Sequence, residues 1–190
     1  MKAYECVRKL EIAKPADEVW GWLSDVRNAM TADQFHEAIE FDEPVRGPGP
    51  VVPIRHNIFG RRFLKLGRIT KYETNHIAWG ERQAPGYGPE NFPHSVAYWV
   101  RPGQASSCTV VTRVRGTWQA PLARLIGPYV WSQMLPPVLD ADLADVAFGV
   151  GAIREKPAFV LPPQVPALMR LMHARTVDSA PAEELVASLL

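Results

Sequence analysis

Leu139, Leu143, Val146, Val150 and Ile153 follow one another at steps of three and four, one apolar stripe along a helix in the last third of the chain. A stripe of that length is stable only when laid on another apolar surface. What precedes it is a succession of short segments with strand alternation. The stripe therefore constrains the chain to a sheet with a long helix lying on it.

Tyr4, Cys6, Arg8, Leu10 and Ile12 share one face of a strand over 3–12, opposite Glu5, Val7, Lys9 and Glu11. In "KPADEVWGWLSDV" a helix starts at Lys14–Asp17, because proline is tolerated in a first turn and acidic groups favour its positive end. Ala16, Val19, Trp20 and Leu23 form its apolar face, and Trp22 lies off it. A second helical piece over 28–32 and a strand over 37–42 follow, then the loop "EPVRGPGPV". Strands are expected at 51–59 and 61–72, turning at Gly60, and at 76–82, 94–100 and 107–118, with a long loop at "QAPGYGPENFP". Beyond Trp118 the pattern is helical. Pro121, Pro128, Pro136 and Pro137 are expected to break its early part, since an interior proline removes a hydrogen bond and clashes with the preceding turn.

Strands followed by a long helix, with the helices segregated, make an α+β design. The domain is expected to span 1–156. Residues 157–190 read as a Pro-rich linker, "KPAFVLPPQVP", and a helical C-terminal extension. Leu168, Leu171 and Met172 give that extension an apolar face, to be buried on the domain or on a second subunit as a homodimer.

Composition narrows the function classes. A formal net charge of +1 with no Lys/Arg run argues against nucleic acid. No apolar stretch approaches the roughly 20 residues of a membrane helix, and "MKAYECVRKLEI" lacks the apolar core of a signal peptide. Cys6 and Cys108 read as buried thiols. A cytoplasmic protein without membrane insertion is expected.

Three segments carry a resemblance: "LEIAKPADEVWGWLSDV" (10–26), "GRITKYETNHIAWG" (67–80) and "LADVAFGVGAIRE" (143–155). In that order they resemble the START/Bet v 1-like superfamily, especially its polyketide cyclase/dehydrase-like branch, over residues 3–156. The resemblance implies a helix-grip fold. In it a curved antiparallel sheet wraps a long C-terminal helix, two short helices follow the first strand, and a cavity for hydrophobic ligands lies between sheet and helix. Trp20 would then face the core, and Trp22 the cavity mouth or a neighbouring element.

The cavity lining has to decide function, because one fold serves many activities. Val52, Ile54, His56 and Ile58 share a face, so His56 is a candidate general acid/base; a core histidine bonded to backbone or water is the other reading. Arg8 can stabilise an anion if its face lines the cavity, or simply reach solvent. Trp22, Ile54, Trp79, Tyr98, Trp99, Trp118, Leu139, Leu143, Val146 and Val150 are candidate ligand-binding residues. "HEAIE" (36–40) lacks the second histidine of the zinc-protease helix, so no metal is expected, and no cofactor either. His94 and His173 are expected at the surface. No nucleotide-binding glycine loop or nucleophile elbow is present. The function expected is binding of a hydrophobic or aromatic small molecule, with cyclisation or dehydration of a polyketide by acid/base chemistry. The alternative is a non-catalytic carrier or sensor of a lipid, quinone or aromatic metabolite.

Overall fold

A computed structural model of the chain describes residues 3–40, 45–58, 60–87, 92–104, 106–119 and 121–173. Strand β1 (Tyr4–Ile12) is followed by two short helices, α1 (Ala16–Leu23) and α2 (Val26–Thr31). Then come β2 (His36–Ile39), β3 (Val51–Ile58), β4 (Arg61–Glu73), β5 (His76–Gln83), β6 (His94–Pro102) and β7 (Cys108–Gly116). The long helix α3 (Pro121–Gly149) and a short α4 (Gln164–His173) complete the described chain. The seven strands form one curled antiparallel sheet in the order β1-β7-β6-β5-β4-β3-β2, and α3 packs against β1 and β7. The α+β helix-grip architecture expected from the sequence is the one observed.

The prolines do not break α3, contrary to the expectation from local sequence. Pro128, Pro136 and Pro137 all lie inside one continuous helix. An interior proline costs about 3 kcal/mol. Val130, Trp131, Met134, Leu135, Val138 and Leu139 are all buried, and each such side chain returns roughly 1.5–3 kcal/mol on leaving water. Packing on the sheet outweighs the local penalty. The helix stops at Gly149, before Ile153, because Gly151 (φ 67°) takes the left-handed turn. Gly151 N–H and Ala152 N–H then donate to Phe148 and Ala147 carbonyls, the paired closing bonds of a glycine C-cap.

The two tryptophans of α1 have separate partners. Trp20 lies 6.0 Å from Tyr72 in a tilted ring contact. Trp22 covers Gly149 of α3 so closely that a Cβ there would sit 2.3 Å from its ring. Beyond α3, Val165 of α4 is fully buried in the main core, and Leu161 and Leu168 pack on it. The side chains of Leu171 and Met172 fall outside the described residues.

Candidate functional site

Period-two alternation sets the inner face of each strand. β3 presents Val52, Ile54 and His56; β4 presents Lys65, Gly67 and Ile69; β5 presents Ile77, Trp79 and Glu81. β6 adds His94, Val96, Tyr98 and Val100. Register then pairs His36 with His56 across β2 and β3, and Glu81 with His94 across β5 and β6. The curl of the sheet carries the two pairs toward each other over β4.

Glu81 sits at the centre. Its Oε2 lies 3.0 Å from His56 Nε2 and 3.3 Å from His94 Nε2. Its Oε1 lies 3.3 Å from His36 Nε2 and accepts a 2.7 Å hydrogen bond from Trp79 Nε1. The side chains of Glu81 and His36 are fully buried and that of His56 almost so. His36 Nδ1 is 2.6 Å from the Met30 carbonyl, which can only accept, so this nitrogen carries a proton. Lys65 Nζ donates to the Phe92 carbonyl at 3.0 Å and lies 3.2 Å from His94 Nδ1. The Phe92 carbonyl is also 3.2 Å from that nitrogen and could accept from it, but a proton on Nδ1 would face the Lys65 ammonium and leave the Nε2 lone pair facing the Glu81 carboxylate. His94 Nδ1 therefore presents its lone pair to Lys65, and its Nε2–H faces Glu81.

The charges follow from these neighbours. Burial pulls the His36 imidazolium down, but Asp33 and Glu81 together outweigh it and raise His36 to about 9. Burial lowers His56 to about 4, helped by the positive charge on His36. Burial and then Lys65 lower His94 to about 4. Burial alone would raise the Glu81 carboxyl, yet the surrounding imidazoles hold it well below the usual carboxylate range. At neutral pH the cluster holds one buried ion pair, His36 with Glu81, and two neutral imidazoles. Removing each ion from water costs several kcal/mol, so stability does not explain the arrangement. Buried, strongly perturbed groups beside a cavity make a candidate functional site. His36, His56 and Glu81 each offer a donor atom within 4.8 Å of the other two, a set able to hold a metal.

A partly open cavity of about 70 Å³ adjoins the cluster. His56, His94 and Lys65 form its polar end, and Phe92, Trp118, Trp131, Met134, Leu135 and Leu139 much of its apolar wall. The Phe92 ring centroid is 4.3 Å from that of Trp118 and 4.4 Å from that of Trp131. All three rings of this aromatic stack line the cavity. About 10–15 Å³ of such space holds one water, so the free volume is that of a few waters.

No family profile matches the chain, and no curated protein sequence matches it. Solved structures do match. The Zhui aromatase/cyclase from Streptomyces sp. R1128 superposes with a TM-score of 0.55 at 18% identity, over 93% of this chain and 100% of that one. Norcoclaurine synthase from Thalictrum flavum gives 0.56 at 13% identity, over 77% of this chain and 92% of that one. A START superfamily protein from Mycobacterium smegmatis gives 0.56 at 12% identity, over 72% and 92%. The chain has the START/Bet v 1-like fold.

Within this START/Bet v 1-like frame the expected site residues separate. His56, Trp118 and Leu139 line the cavity. Ile54, Trp79, Tyr98, Leu143, Val146 and Val150 are buried in the core beside it, and Trp22 covers α3. Trp99 is on the opposite face, stacked on His76 at 4.8 Å with the Arg113 guanidinium 5.1 Å from its ring. Arg8 does not reach the cavity. It makes an exposed two-pronged bond to Asp140 at 2.7 and 2.8 Å, since β1 is an edge strand facing the outer flank of α3. His94 is not at the surface but in the cavity wall, with 11% of its side chain exposed. Sequence reasoning missed Glu81 and Lys65. The signal for Glu81 was present: Ile77, Trp79 and Glu81 alternate onto one face, a carboxylate in an apolar row.

Proposed function

We propose that the protein takes a hydrophobic or aromatic small molecule bearing carbonyl oxygens into the cavity between the sheet and α3, and cyclises or dehydrates it at the polar end. The observation that carries this reading is the junction of an aromatic wall with a buried charged cluster. A carrier of apolar molecules needs the wall alone. Two indole N–H groups of the wall, on Trp118 and Trp131, are buried without a hydrogen-bond partner among the described residues. An unmet buried donor costs roughly 1–3 kcal/mol, and carbonyl oxygens of a ligand would meet both. The likeness to an aromatase/cyclase supports the same reading.

Such a reaction moves a proton and closes a bond, with no oxidant. A proton leaves a carbon next to a carbonyl, the resulting enolate carbon attacks a second carbonyl, and the alkoxide regains the proton. In the dehydrating case water then leaves. His56, one of the two cluster imidazoles that line the cavity, is assigned to contact with the reacting atoms, and the Lys65 amino group to stabilising the enolate oxygen. Arg8 has no part in it. The ring of the ligand displaces the Phe92–Trp118–Trp131 stack, because the free space of about 70 Å³ admits only its polar head.

The test is a titration with aromatic and linear polyketones, reading tryptophan fluorescence and product formation together, in wild type and Lys65→Met. Saturable quenching with turnover is expected. Lys65→Met should keep the quenching and lose about 100-fold or more in turnover, the scale for removing one oxyanion donor. Quenching without turnover in the wild type would establish the carrier reading instead.

A further inference from the structure

Three contacts of Glu81 have ion-pair length without hydrogen-bond alignment. His36 Nε2, His56 Nε2 and Glu81 Oε2 are all buried with no hydrogen-bond partner among the described residues, although the Glu81 carboxylate oxygens stand 3.3 Å from His36 and 3.0 Å from His56. Polar atoms converging in this way point to an occupant at their centre. We infer that His36 Nε2, His56 Nε2 and the Glu81 carboxylate form a site for one divalent first-row transition-metal ion, zinc or iron(II), at the floor of the cavity.

The spacing agrees with that occupant. Bonds of about 2.0–2.1 Å around a tetrahedral ion leave neighbouring donors about 3.3–3.4 Å apart. Glu81 Oε1 to His36 Nε2 is 3.3 Å and Glu81 Oε2 to His56 Nε2 is 3.0 Å, and one donor atom from each of the three residues lies within 4.8 Å of the others, so a small rotation of the carboxylate and the rings closes the set around one ion. Two imidazoles and a carboxylate are a donor set for zinc or iron(II), and the three protein donors leave positions open for water or a substrate oxygen.

The partners behind the donors are those a metal site requires. His36 Nδ1–H donates to the Met30 carbonyl, which aims the other nitrogen at the centre. Trp79 Nε1–H fixes the Glu81 carboxylate at 2.7 Å. His94 Nε2, 3.3 Å from the same carboxylate, is a second brace and not a ligand, because Lys65 holds its other nitrogen as an acceptor. Of the three donors His56 lines the cavity, which places the ion within one side chain of the ligand space. A bound ion would polarise a carbonyl oxygen placed there.

An ion on His56 Nε2 leaves only Nδ1 of that ring to carry a proton, so the site bears on the ligand reading, but its own test needs no organic ligand. Full-length protein freed of metal with a chelator is titrated with cobalt(II), following visible absorption, and then with zinc. One ion per chain is expected. X-ray absorption of the zinc-loaded wild type should show two imidazoles and oxygen donors at about 2.0–2.2 Å. Glu81→Gln should weaken binding by at least about 10–100-fold, the scale already seen for losing an outer partner. His76→Ala, on the opposite face, should leave it unchanged. If the folded protein takes up no ion, or the bound ion has no imidazole in its shell, the site is a proton-bearing cluster and the inference fails. The absorption measurement on wild type decides even if Glu81→Gln does not fold.

Discussion

His56 Nε2 lies 3.0 Å from Glu81 Oε2, although the two residues stand on β3 and β5 with β4 between them. Cross-strand neighbours meet by register alone, but this pair meets by curvature. The same curl that lets α3 sit in the sheet therefore assembles the polar end of the cavity. Fold and site have one cause.

His56→Gln should leave ligand affinity within a few-fold and lower turnover by about 100-fold or more, the usual scale for a residue in acid/base contact with substrate. Parallel quenching and turnover measurements, with a melting curve as a check on folding, test this. A purely structural His56 would lower the melting temperature and leave turnover per folded molecule intact.

Trp131→Ala should enlarge the space beside Phe92 and Trp118 and so tighten binding of the larger polycyclic ligands. Its cost in stability should be about 3–5 kcal/mol, as for other buried tryptophans. Calorimetric titration with a two-ring and a four-ring ligand, beside urea unfolding, measures both effects. Equal affinities in the two proteins would show that the aromatic stack does not limit ligand size.

Asp142 supplies a pH test away from the cluster. Burial, and then the charge of Asp33, raise its carboxyl well above the ordinary range, against the hydrogen bond it accepts from Gln34 N–H at 3.2 Å. Unfolded aspartate loses its proton near pH 3.9, so above that pH the native chain binds the extra proton. Stability contributed by this group therefore falls as pH rises from about 4 through the native value. Asp142→Asn should gain stability relative to wild type over that window and then level off. Urea unfolding at a series of pH values reads the difference, and a flat difference would contradict the assignment.

Much of the fold was legible because it rests on periodicity. The stripe from Leu139 to Val150 and the alternation of Val52, Ile54 and His56 both mark faces that are buried. Misreadings arose where distant contacts override local chemistry. The prolines of α3 look like breaks until the sheet beneath them is known, and Arg8 shares its strand face with core residues yet sits at an edge. His36 has Asp33, Glu37 and Glu40 close in sequence, none of which is the carboxylate at the centre of the cluster. His56 comes from 20 positions away and is brought by strand register, and Glu81 from 45 positions away by the curl of the sheet.

The most direct measurement is a crystal structure of the full chain soaked or grown with an aromatic polyketone. Density for the ligand is expected between α3 and the sheet, its rings against Trp118 and Trp131 and an oxygen within hydrogen-bond reach of Lys65, His56 or His94. Density confined to the outer face of the sheet, or an aromatic stack unmoved at saturating ligand, would contradict the account.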